Sequence, residues 1–169
     1  MNTIQLLETI LERMQKCPKN LVRVELEMFH NALERDPHLS TVLKDIVRKN
    51  EPALGAKVAS IVDGRGRPAW ADLSFADSAP LRAAVGYQAC QVLLSESHSM
   101  KCGNKVEQLG AFYETYERDR GGAPTPAEAI RVFSEVFLHP LLSYLRGALE
   151  THDHILLLLS RHKQRTEWF

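Results

Sequence analysis

Apolar residues recur at helical spacing along most of the chain, and this period restricts the fold more than any other feature. Ile4, Leu7, Leu11 and Met14 step by 3, 4 and 3 residues. Val22, Leu26, Phe29 and Leu33 step by 4, 3 and 4, and Leu39, Val42, Leu43, Ile46 and Val47 make a third stripe. Residues at these spacings fall on one face of a helix and need a core to cover them. No alternating run is long enough to predict a strand, and there is no internal repeat or low-complexity segment. The fold class read from this pattern is all-α.

Start and stop signals divide the stripes. Asp36-Pro37 opens the third helix, with Asp as N-cap and Pro at the first helical position. Arg48 and Lys49 suit its negative C-terminal end, and Pro52 blocks simple continuation. Leu54, Val58 and Ile61 then predict a short fourth helix stopping near Gly64. The segment "DGRGRPAWADLSFADSAP" reads as a loop pinned by Trp70, Leu73 and Phe75. Leu81, Val85, Ala89, Val92 and Leu93 form the next stripe, entered from Asp77 or Ser78 with Pro80 in the first turn. After the polar connector "SESHSMKCGN" come Val106, Leu109, Tyr113 and Tyr116. Thr125, Pro126 and Glu128 form a capping box that opens a helix carrying Ile130, Phe133 and Phe137. Pro140 predicts a kink or break near His139. Leu141, Leu145 and Leu149 continue the stripe, and Thr151 or Asp153 is the expected cap of a final helix. The sum is a bundle of about seven to eight helices by these signals. It reads as one domain over 1–169, or as helices 1–62 and a bundle 78–169 joined by the 63–77 loop.

Composition narrows the function classes. Lys+Arg and Asp+Glu both number 21, so the formal net charge is zero, which argues against a general nucleic-acid binder. Cys17, Cys90 and Cys102 are odd in number and far apart, which fits a reducing compartment better than a disulfide framework. The N-terminal stretch lacks the apolar core of a signal peptide. The longest aliphatic run, Ile155 to Leu159, is far below the roughly 20 residues that span a bilayer. A cytoplasmic protein without membrane attachment is expected. His98, Cys102, His152 and His154 are the available metal-binding side chains, but they form no zinc-type pattern, so no metal and no cofactor is expected.

Arg146-x5-His152 resembles the R-x4-6-H signature of HEPN domains, a family of helical bundles that includes metal-independent ribonucleases. The resemblance spans residues 146–152. It implies that Arg146 stabilises charge on an attacked phosphate while His152 moves the proton, in a site completed across a dimer. Gly147 stands where the family prefers a polar residue, and Arg23-x6-His30 offers the same type of spacing inside an ordinary amphipathic helix. The tail "RHKQRTEWF" resembles helical modules of bacterial antiphage proteins. Its basic residues Arg161, Lys163 and Arg165 lie near Trp168 and are candidate nucleic-acid contacts.

The leading expectation rests on the aliphatic run. Ile155 to Leu159 covers more than one side of its helix, so that helix is either central in the core or covered by another chain. Ile155, Leu156, Leu159, Trp168 and Phe169 are the candidate interface, with a protein partner or a second copy on the other side. The chain ending on Trp168-Phe169 suggests an excised N-terminal domain, or an end that docks on a neighbouring subunit. The expected function is a protein–protein interaction or oligomerisation module within a larger bacterial-type assembly. A HEPN-like ribonuclease and nucleic-acid contact through the last helix are the alternatives.

Overall fold

The structure is a computed structural model that describes residues 1–18, 21–62, 78–94, 130–131 and 133–166. Among these residues every regular element is helical. They form α1 (Thr3–Lys16), α2 (Val22–Arg35), α3 (Pro37–Val62), α4 (Ala79–Leu94) and α5 (His139–Thr166), with a π-helical turn at Ser134–Leu138 leading into α5. The expected 63–77 loop, the Val106–Tyr116 stripe and the Thr125 capping box lie outside the described residues.

Local chemistry fixes the first three helices. Asn2 and Gln5 form a reciprocal capping box at the start of α1. Asp36 accepts hydrogen bonds from the backbone N–H groups of His38 (3.0 Å) and Leu39 (3.1 Å), the N-cap role its sequence position predicts. The same carboxylate accepts from the Thr3 hydroxyl at 2.7 Å, which ties the start of α1 to the end of α2. Arg13, near the other end of α1, pairs with Glu25 in α2 at 2.9 Å. The two ties together make α1 and α2 antiparallel.

Two expected breaks are absent. Pro52 lies inside α3, so the fourth helix predicted over Leu54–Ile61 is the continuation of the third. Pro52 removes one backbone donor there; in the preceding turn Asn50 Nδ2 donates to the Ile46 carbonyl at 2.7 Å. Pro140 does not break the chain of helical residues either. The turn before it widens, so that the His139 N–H reaches the carbonyl of Ser134, five residues back. A wider turn relieves the clash that a proline ring makes with the preceding turn. The Ser134 hydroxyl, fully buried, donates to the Ile130 carbonyl at 2.9 Å. The predicted final helix is likewise no separate element. Thr151 and Asp153 lie inside α5, and the Thr151 hydroxyl bonds back to the Gly147 carbonyl at 2.9 Å instead of capping.

The core is one cluster of buried side chains drawn from every element. α4 is its centre: it packs against α2, α3, α5 and the π turn. Ala83, Ala84, Val85, Tyr87, Ala89 and Cys90 are all buried, so α4 has no solvent side through its middle. Small residues let its neighbours approach. At Gly86 a β-carbon would overlap the carbonyl oxygen of Phe137 and lie 3.2 Å from its carbonyl carbon and 3.4 Å from Leu141 Cβ. A second contact holds α2 to α4. The Tyr87 hydroxyl donates to Glu34, Gln91 Nε2 donates to the Tyr87 oxygen at 3.1 Å, and the His30 ring stacks on Tyr87 at 5.7 Å between centroids. Burial, and then the Glu34 carboxylate, push the Tyr87 phenol well above its ordinary value.

Two outcomes follow from this packing. Gly86→Ala lowers the unfolding free energy by about 2–3 kcal/mol in urea titration, since the obstructing atoms are backbone; a loss under about 0.5 kcal/mol contradicts the close approach. Burial outweighs the Glu34 carboxylate and holds the His30 imidazole below its ordinary 6.5. The unfolded chain then binds a proton that the folded one resists. Stability is therefore full above pH 6.5 and falls as pH drops from there toward the lower folded value. His30→Gln flattens that part of the stability profile; an unchanged slope places its origin elsewhere.

Candidate interaction site

α5 has two halves with different surroundings. Leu141, Leu142 and Leu145 are buried in the bundle, and Tyr144, Ala148, Leu149 and His152 are half-buried. From Asp153 to Thr166 every residue is exposed. At 1.5 Å per residue this second half projects about 20 Å. It carries Ile155, Leu156, Leu157, Leu158 and Leu159, each between 49 and 60 % exposed. Successive helical residues turn by about 100°, so these five side chains surround the helix with an apolar band. Among the described residues nothing buries the run, so it is not part of their core. Ile155, Leu156 and Leu159 share the band with Leu157 and Leu158, which the sequence pattern does not single out. Trp168 and Phe169 lie outside the described residues.

Two hydroxyls of the arm bond within it. Ser160 Oγ donates to the Leu157 carbonyl at 3.0 Å, and Thr166 Oγ1 to the Lys163 carbonyl at 2.8 Å. Arg161 and Arg165, one turn apart, share a face, while Lys163 points to the opposite side. This arrangement complements the negative helix end better than it forms a basic stripe along a phosphate backbone.

Arg146 and His152 lie six positions apart, which separates them by about 120° around the axis and about 9 Å along it. Arg146 pairs with Glu8 of α1. His152 packs on His38 at the start of α3, with ring centroids 3.9 Å apart and a 35° tilt. The two side chains thus engage different neighbours on two sides of α5, where the arm leaves the bundle. A ribonuclease geometry would require Arg146 to leave Glu8 and His152 to leave His38.

A cleft of about 930 Å³ opens beside this root, lined in part by Asp45, Arg82, Glu135, His139, Gly147 and Thr151. Its carboxylates are already engaged. Asp45 binds Lys49 (2.7 Å) and Arg48 (2.9 Å), whose hydrogen bonds hold it below the usual carboxylate range, and Glu135 binds Arg131 at 2.9 Å. Among the described residues, no three His, Cys, Asp or Glu side chains gather as a metal site. His98 and Cys102 are outside the described residues. Cys90 is wholly buried, and burial pushes its thiol up to about 12. No helix of the described residues is long and apolar enough to cross a membrane.

Comparison with protein-family models, with curated proteins and with solved structures gives no match. The functional reading therefore rests on the surface of α5.

The two halves of α5 separate in a mutational test. Leu145→Ala, in the buried half, costs about 3 kcal/mol of unfolding free energy, whereas Leu158→Ser, in the arm, changes it by less than about 0.5 kcal/mol. Comparable losses at both positions would mean that the arm is part of the folded core.

Proposed function

We propose that this protein is a helical interaction module, a bundle of seven to eight helices that docks through the projecting half of α5 within a larger cytoplasmic assembly of bacterial type. The observation that carries the reading is the band Ile155–Leu159, about half exposed on all sides of a helix. An isolated helix of about 14 residues is marginal in water, and an all-round apolar helix is normally covered. Contiguous exposed apolar surface of this kind marks interaction sites in soluble proteins. The Glu8–Arg146 and His38–His152 contacts brace the root of the arm, so its direction is held before a partner arrives. Such bracing lowers the ordering cost of association. The tail's resemblance to antiphage modules makes antiviral defence the first class of assembly to examine.

The test compares wild type with Leu156→Ser/Leu158→Ser in co-purification from source cells, alongside the mass of the purified protein by light scattering. Wild type is expected in a complex or an oligomer, and the variant as a folded, unassociated monomer. Wild type that is monomeric at high concentration and retains no companion overturns the reading.

A further inference from the structure

We infer that the occupant of the α5 arm is the arm of a second copy of this chain, laid antiparallel; the inference rests on the docking reading above and names its partner. Charge runs in one direction along the arm. Glu150 and Asp153 precede the apolar band, and Arg161, Lys163 and Arg165 follow it. Parallel pairing sets like charges side by side, whereas antiparallel pairing sets acidic residues against basic ones at both ends.

The side-chain sizes agree. Ala148, Thr151, Ile155, Leu158, His162 and Arg165 step by 3, 4, 3, 4 and 3, the period of a coiled-coil seam. An antiparallel pair centred between Leu156 and Leu157 sets Ile155 opposite Leu158 of the second copy, twice. Thr151 then faces His162, and Ala148 faces Arg165, a small residue against a long one at each step. In the same register Glu150 and the second copy's Arg161 lie on one flank of the seam, two residues apart along the axis, while Asp153 and Lys163 face away from it. The surface that must receive the second copy's tip has room. Thr151 is exposed, and a β-carbon at neighbouring Gly147 would meet no atom within 4 Å. The arm is long enough for this overlap, because pairing about its middle brings each Thr166 level with Gly147, where the bundle begins.

The experiment uses the full-length chain and three charge variants, with the dimer dissociation constant read by sedimentation equilibrium. Glu150→Lys and Arg161→Glu are each expected to raise that constant about tenfold. The combined Glu150→Lys/Arg161→Glu variant is expected to return it to within about threefold of wild type, because each facing pair is again opposite in sign. A wild-type monomer at all concentrations, unweakened single variants, or a combined variant that fails to recover would each overturn the inference. A monomeric wild type that still retains a companion lost in Leu156→Ser/Leu158→Ser removes self-pairing alone and leaves the docking reading standing.

Discussion

The contact on which the rest of the structure depends is the crossing of Gly86 over the Phe137 carbonyl. Two helical segments meet there backbone to backbone, with no side chain between them. The contact needs glycine on α4, and it involves a carbonyl of the widened turn on the other side. That turn is the means by which the chain carries Pro140 without breaking the helix. Small residues around Gly86, Ala83 and Ala84 among them, let α4 sit at the centre of the bundle with its middle buried on every side. Because the turn is continuous with α5, the crossing also sets where the last helix starts and which way it runs.

That direction is then fixed again further along α5. Leu141, Leu142 and Leu145 anchor its first half by burial, the strongest of the forces in play. Past them the fastening becomes polar: Arg146 on Glu8, both side chains open to solvent, and His152 on His38, both half-buried. An exposed ion pair contributes little to stability, so the Arg146–Glu8 contact matters more for orientation than for free energy. Beyond His152 every described residue is exposed, and five large aliphatic side chains meet solvent there. The result is a stable bundle joined to a segment whose stability depends on what covers it.

The sequence makes some of this legible and hides the rest. Asp36-Pro37 is readable because capping is a local matter: the cap, the proline and the amides it serves lie within four residues. The Asn2–Gln5 box carries an equally local signal. The prolines mislead for the opposite reason. Local sterics alone favour a break at Pro52 and at Pro140, yet the helix runs through Pro52, and the π turn absorbs the clash at Pro140. Gly86 gives no signal at all, since its role exists only once α4 has crossed the turn before α5. The Ile155–Leu159 run is legible as an excess of apolar surface. Whether a core covers it depends on where α5 leaves the bundle, which is a tertiary fact. Arg146 and His152 suggest a pair by spacing alone, and their helical phase directs them to different neighbours.

The central claim is that the arm beyond His152 is ordered by another chain and not by its own bundle. Amide hydrogen exchange read along α5 at several protein concentrations tests it most directly. The account predicts that amides of 141–145 are protected throughout, while those of 154–164 exchange quickly in dilute solution and gain protection as concentration or a companion rises. Strong protection of 154–164 at every dilution, in a protein shown to be monomeric, would contradict it.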